Sequence, residues 1–275
     1  MKNARLRPSS WMWKPGAGYY IEKPEALEAA ALLPDLRRLR DRRIASLFDR
    51  HAGLDRGSRA LEVGCGRSPW LPLLARRFGC AVAGIDLEPY AAELARANLA
   101  GAGERGEVFC RDAFVLRRGD PLEGAFDLIY SMGLVEHFGD PADRLAVLLR
   151  YLRPGGRIVT TVPNLQGVNW LLQRCADRVT LEGHVVHDPA SLTGAHRSAG
   201  FETIASGYIG FHDGFLSSAA GARSRTRRLI HRAACRTMNL LGEGWIRLSR
   251  GAATPELRGL APHVFYAGRR PATEA

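Results

Sequence analysis

A chain of 275 residues that is 46% hydrophobic can bury a substantial core, and suits one large domain or one domain with appendages. Its five cysteines form an odd set without a Cys-x-x-Cys pair, which argues against a disulfide framework, and no apolar leader or membrane-length run is present, so a soluble, cytoplasmic protein is expected. The net charge of +11 comes without the stacking aromatics of an RNA-binding sheet, so nucleic acid is not an expected partner.

Residues 1–56 read as a helical preface. An aromatic stretch, Trp11, Trp13, Tyr19 and Tyr20, opens it and could close over a ligand. Pro24 then starts a segment with Ala26, Leu27, Ala30 and Ala31 at helical spacing. A second helix is predicted after Pro34, with Leu36, Leu39, Ile44, Leu47 and Phe48 on one side and Arg37, Arg38, Arg40, Arg42 and Arg43 on the other. From residue 57 to 275 the pattern alternates strand and helix. Strands are predicted at Ala60–Val63, Ala81–Ile85, Glu107–Cys110, Phe126–Tyr130, Arg157–Val162, Glu202–Ile209 and His263–Ala267. Helices are predicted at Leu71–Phe78, Ala91–Leu99, Ala142–Tyr151 and Ser191–Ala199, with Arg153-Pro154-Gly155-Gly156 as a tight turn. The fold class is therefore α/β: a Rossmann-like doubly wound sheet of seven strands, with an N-terminal helical segment and a helical insertion before the last strand.

That insertion, about 211–260, carries Ile230, Ala234, Met238, Leu241, Trp245 and Leu248 at steps of three and four, with Gly242 and Gly244 expected to break the helix. Its arginines, between 223 and 250, are accompanied by one acid, Glu243. Such a helix can lie on an anionic membrane surface, but the favoured expectation is that it covers its own core and walls a substrate pocket.

Two segments carry chemistry. Leu61-Glu62-Val63-Gly64-Cys65-Gly66 runs from a strand into a glycine turn, and Gly84-Ile85-Asp86-Leu87 ends the next strand in an acid about twenty residues on. Small glycines let backbone approach a nucleotide, and the acid accepts hydrogen bonds from ribose hydroxyls. Pro69 stands where a dinucleotide loop has its third glycine, and Glu62 would repel a pyrophosphate. A carboxylate there suits a cationic end, such as the ammonium and sulfonium of S-adenosylmethionine.

Three more segments extend the pattern: Cys110-Arg111-Asp112-Ala113-Phe114, then Phe126 to Ser131 with Val135-Glu136-His137-Phe138, then Leu152-Arg153-Pro154-Gly155-Gly156. In this order and spacing, residues 58–210 resemble the class I S-adenosylmethionine-dependent methyltransferases. The resemblance implies cofactor binding by Glu62, Gly64, Cys65, Gly66, Asp86, Leu87, Asp112, Ala113 and Ser131, with Asp112 and the amide of the next residue at the adenine. Pro163 to Gly167, His184 and Ala195 to Phe201 are similar to a bacterial small-molecule branch, whose members act on natural products, sugars or quinone-like metabolites.

A methyltransferase of this kind aligns its substrates and supplies a base where the nucleophile starts protonated. His184 and His137 are the candidate catalytic residues, and Tyr19, Tyr20, His187 and His212 the candidate substrate-binding ones. His184 and His187 lie three apart beside Glu182 and Asp188, yet no third and fourth ligand is identifiable, so no metal site is expected. Asp188-Pro189 instead reads as a helix start. Ser131-Met132-Gly133-Leu134 stands where enzymes acting on base amino groups carry an Asn-Pro-Pro-Tyr-like motif. The expected function is methyl transfer to O, N or C of a small metabolite. A macromolecular or lipid-linked acceptor, or a protein that binds the cofactor without turnover, is the alternative. Neither the acceptor nor the oligomeric state can be read from the chain.

Overall fold

The computed structural model describes residues 31–176, 178–211, 224–248 and 256–272. Tyr19, Tyr20 and His212, with the aromatic stretch and the first expected helix up to Ala30, lie outside the described residues.

Seven strands form one sheet in the order β3-β2-β1-β4-β5-β7-β6: β1 (Arg59–Val63), β2 (Ala81–Asp86), β3 (Glu107–Cys110), β4 (Phe126–Met132), β5 (Leu152–Pro163), β6 (Glu202–Ile209) and β7 (His263–Arg269). All neighbours are parallel except β7, which runs antiparallel between β5 and β6. The inner strands are buried on both faces, so they read as near-continuous apolar runs such as Phe126–Tyr130. Helices α1 (Leu39–His51), α2 (Trp70–Phe78) and α3 (Pro89–Gly101) cover one face, through a cluster holding Ile44, Phe48, Trp70, Leu74 and Leu99. Helices α4 (Ala142–Tyr151) and α7 (Pro189–Ser198) cover the other, through Leu145, Leu148, Tyr151 and Leu192. The strand order reverses between β1 and β4, and a ligand crevice is expected at the C-terminal ends of those strands.

Several expectations need correction. Residues 34–38 are not helical, and α1 begins at Leu39. The Arg153–Gly156 turn lies inside β5 as an irregularity: pairing shifts between Phe126 and Leu128, and Gly155 adopts φ +77°. It is pinned by the Gly155 amide donating to the Arg270 carbonyl and by the Arg270 amide donating to the Gly156 carbonyl. Two helices, α5 (Gly167–Ala176) and α6 (Arg178–Glu182), occupy a stretch where none was drawn.

The insertion helix α8 (Arg225–Leu248) is unbroken across Gly242. A Cβ at Gly242 would meet the Phe211 ring at 3.0 Å, so this glycine permits a close approach instead of ending the helix. The helix packs against α5 with His231, Cys235 and Gly242 buried. Of the stripe expected to cover the core, Ala234 and Met238 are half-buried while Ile230, Leu241, Trp245 and Leu248 are exposed, together with Leu229 and Leu240.

Candidate functional site

The glycine turn hangs from the end of β2. Amides of Gly64 and Cys65 both donate to the Ile85 carbonyl, at 2.8 and 3.2 Å, and Gly64 adopts φ +73°, where a side chain would be strained. Cys65 turns inward and is buried, and an ideal Cβ on Gly84 would stand 2.6 Å from its sulfur. The close approach of turn to strand therefore depends on Gly84 as much as on Gly64 and Gly66. Pro69 immediately precedes α2, so the position of the missing third glycine is a helix entry.

Asp86 ties the turn shut. One carboxylate oxygen accepts the Gly66 amide at 2.9 Å and the other the Glu88 amide at 3.0 Å. Each oxygen keeps acceptor capacity, so ribose hydroxyls can still donate to it. Burial raises the Asp86 carboxyl above its usual range despite these two amides. Leu87 follows, half-buried, its carbonyl facing the Cys110 thiol at 3.8 Å.

Glu62 is 1% exposed. The register pairs it with Tyr130 across β1 and β4, and the Tyr130 hydroxyl donates to it at 2.9 Å. The Ser68 hydroxyl is its second partner. Burial pushes its carboxyl up to about 8, against those two hydrogen bonds and with help from the nearby Asp86 charge. Burial likewise raises the Tyr130 phenol well above its usual value. A buried carboxyl held by two hydroxyls would be stabilised as the carboxylate by an incoming cation.

The loop after β3 forms a second wall. Asp112 is exposed, with one oxygen accepting the Phe114 amide at 2.8 Å, while Ala113 is buried and its carbonyl accepts the Tyr151 hydroxyl at 2.9 Å. Phe114 meets Phe138 edge-on at 5.2 Å, and the Arg144 guanidinium lies 4.1 Å from the Phe138 ring centre. These contacts join the loop after β3 to the loop after β4.

Beyond β4, Ser131 is buried with its Oγ lacking a hydrogen-bond partner. A 3-10 turn, Val135–His137, follows and buries Glu136, whose carboxyl burial pushes up to about 8. The structure brings His184 to this turn: the Val185 amide donates to the Glu136 carbonyl at 2.7 Å, and the His137 and His184 ring centres are 4.8 Å apart. Burial, and secondarily the His184 charge, lowers His137 to about 4. His187 does not join the pair. It is buried near His196, neither ring nitrogen has a hydrogen-bond partner, and its carbonyl accepts the Gln166 side-chain amide at 3.1 Å. Asp188 caps α7 in a capping box with Ser191, as its sequence context predicts. A separate cavity lined by Arg59, Arg105, Glu107 and Phe126 touches none of these groups.

Sequence reasoning passed over four residues here. Tyr130 could be matched to Glu62 only once β1 and β4 were known to be neighbours. Ser68 carries no motif of its own, nor does Asn98, buried on α3 with its side-chain amide donating to the Ser68 carbonyl at 2.8 Å. Glu136 sat inside a quoted segment without a role, and a carboxylate beside a histidine in an apolar run was its available signal.

A methyltransferase-domain profile matches residues 36–206. The chain is 31% identical over 155 residues to the ubiquinone biosynthesis O-methyltransferase of Thiobacillus denitrificans, covering 54% of this chain and 66% of that protein. It is 34% identical over 119 residues to the same-named protein of Aromatoleum aromaticum, covering 42% and 48%. The chain thus spans about half to two thirds of the length of these curated relatives. In fold it is similar to the [4+2]-cyclase SpnF (TM-score 0.59, 19% identity, 90% of this chain and 91% of that one). It is also similar to geranyl diphosphate C-methyltransferase of Streptomyces coelicolor (TM-score 0.54, 16% identity, 82% and 78%). Ordered motifs, sheet topology and profile agree: the chain belongs to the methyltransferase-domain family.

Proposed function

We propose that this protein transfers the methyl group of S-adenosylmethionine to an oxygen of a small-molecule acceptor. The observation that carries the reading is Glu62: a buried carboxyl at the mouth of a glycine turn, pushed up to about 8, with Tyr130 and Ser68 as its partners. The relatives named as O-methyltransferases favour oxygen over nitrogen or carbon.

When bound, S-adenosylmethionine supplies an electrophilic methyl on sulfur. Glu62 would meet its ammonium, Asp86 its ribose hydroxyls, and Asp112 with the Ala113 amide its adenine. Gly64, Cys65, Gly66 and Leu87 shape the backbone around it, and Ser131 lines the methionine end. With the cofactor held in this way, His137 after β4 and His184 from the loop after α6 would orient an acceptor hydroxyl toward the methyl and take the proton it gives up as the methyl passes from sulfur to oxygen. His187 belongs to the acceptor side in this reading, with Tyr19, Tyr20 and His212 as further acceptor residues.

Calorimetry with S-adenosylmethionine and its demethylated product tests the cofactor assignment. Binding of both is expected, with Glu62→Gln weakening S-adenosylmethionine by about tenfold or more, the scale of a charge-assisted contact. Wild-type protein that binds neither ligand would overturn the reading. Binding without methylation across hydroxylated small molecules would point to a protein that holds the cofactor silently.

The exposed stripe on α8 favours one variation, a lipid-linked acceptor met at a membrane surface. Leu229, Ile230, Leu240, Leu241, Trp245 and Leu248 are solvent-facing, and Arg225, Arg228, Arg232 and Arg236 flank them. Among the described residues no helix is long and apolar enough to cross a membrane. Flotation with phosphatidylglycerol vesicles at low salt decides it: retention lost in Leu240→Glu/Leu241→Glu supports the variation, and no retention of wild type sinks it.

A further inference from the structure

Glu136, His137 and His184 offer one carboxylate oxygen and two imidazole nitrogens that all lie within 4.8 Å of one another. Glu136 is 2% exposed, and its Oε2 has no hydrogen-bond partner. A buried carboxylate oxygen left in that state is costly unless something cationic or protic meets it. The two rings are inclined at 51° instead of stacked, which leaves room for their nitrogens to converge.

The scaffold around the three groups is built from separate elements. The 3-10 turn after β4 presents Glu136 and His137, while His184 comes from the loop after α6, its amide donating to the Leu181 carbonyl at 3.2 Å. The Val185 amide clasps the Glu136 carbonyl and fixes one loop against the other. Gly133, with φ +74°, lies under the carboxylate: an ideal Cβ there would stand 3.2 Å from Glu136 Oε1. A side chain at that position would crowd the carboxylate.

We propose that Glu136, His137 and His184 together bind one divalent cation of the class that accepts imidazole and carboxylate ligands, such as zinc, manganese or iron(II). Bonds of about 2.1 Å would draw the three donor atoms closer than they now stand, a change within reach of side-chain torsions. Three protein ligands leave a coordination position open. An acceptor hydroxyl bound there would lose its proton to solvent more readily, so with the cation present the histidines would act on the acceptor as ligands of the cation and not as the proton's acceptors. This catalytic use rests on the methyl-transfer reading, whereas binding of the cation does not. His187, the apparent sequence partner of His184, has no part in the site.

The test uses full-length, tag-free protein stripped with a chelator and desalted. Calorimetry with manganese and with zinc is expected to show one ion per chain, and Glu136→Gln and His184→Ala are each expected to weaken binding by about tenfold or more, as loss of a coordinating ligand should. The melting temperature of wild type should rise with zinc or manganese concentration, a readout that needs no variant to fold. Wild type that binds neither ion at millimolar concentration, or both variants binding as tightly as wild type, overturns the inference. S-adenosylmethionine binding on the same stripped protein reports separately on the proposed function: wild type that binds S-adenosylmethionine but neither ion sinks this inference alone.

Discussion

Glu62 makes the pH behaviour of the site predictable. In the ligand-free fold its carboxyl is raised by burial from 4.5 to about 8, so the folded chain holds a proton that the unfolded chain releases near 4.5. Between those values the folded state binds more protons, and this group's contribution to stability falls as pH rises through that window. A cationic ligand reverses the preference, because it needs the carboxylate. Affinity for S-adenosylmethionine is therefore expected to climb by up to about tenfold per pH unit toward pH 8 and then flatten. Glu62→Gln should bind weakly with little pH dependence, and calorimetry between pH 6 and 9 reads the difference. A wild-type profile that is flat below pH 8 would contradict the assignment of Glu62. Sequence showed the residue and its chemical preference, since Glu62 precedes the glycines. It could not show Tyr130 as the partner, because that pairing exists only through the β1–β4 register.

Among elements, the strands and the turns at their ends were readable where backbone geometry leaves a residue signature. Buried parallel strands are apolar runs, and the turn after β1 must be glycine-rich to meet β2. Helix α5 was passed over although Val168, Leu171, Leu172 and Cys175 fall at steps of three and four, and α6, five residues long, is too short to show a period. In α8 the apolar period was real but its direction was misjudged, since His231, Cys235 and Gly242 are the buried positions, Gly242 against the Phe211 ring, and the leucines face outward. Gly84 shows how an element can constrain the site from outside the motif's apparent core. A methyl there would lie 2.6 Å from Cys65 Sγ, 3.0 Å from Cys65 Cβ and 3.2 Å from Leu71 Cδ1. Gly84→Ala should cost about 1–3 kcal/mol of stability and weaken S-adenosylmethionine, because relieving the clash pushes Cys65 and the glycine turn off β2. Adding Cys65→Ala should recover part of both losses. A double variant no better than Gly84→Ala alone, by denaturant unfolding and cofactor titration, would show that the clash lies elsewhere.

Across the whole molecule the site is tied to the segment that enters the sheet domain. Asn98, on α3 and 3% exposed, donates from its amide nitrogen to the Leu32 carbonyl at 3.0 Å and to the Ser68 carbonyl at 2.8 Å, and its oxygen accepts the Leu32 amide. Ser68 in turn receives the Trp70 amide at 3.0 Å at the start of α2 and bonds Glu62. One buried side chain therefore links Leu32, the glycine turn and, through Ser68, the Glu62 carboxyl. No motif announces this role, since an asparagine within an alanine-rich helix reads as a surface residue until the fold closes over it. Asn98→Leu leaves the Leu32 and Ser68 backbone groups without their partner, which should cost about 1–3 kcal/mol. A purely structural role would move only the unfolding midpoint. The linkage through Ser68 predicts more: S-adenosylmethionine binding should weaken severalfold under conditions where the variant is fully folded. Because Ser68 helps hold the Glu62 carboxylate, the pH at which affinity levels off should also shift upward. Unfolding by denaturant, cofactor titration and the pH profile on the same variant separate the two cases, and an unchanged profile with an unchanged Kd would leave Asn98 as a brace for the fold alone.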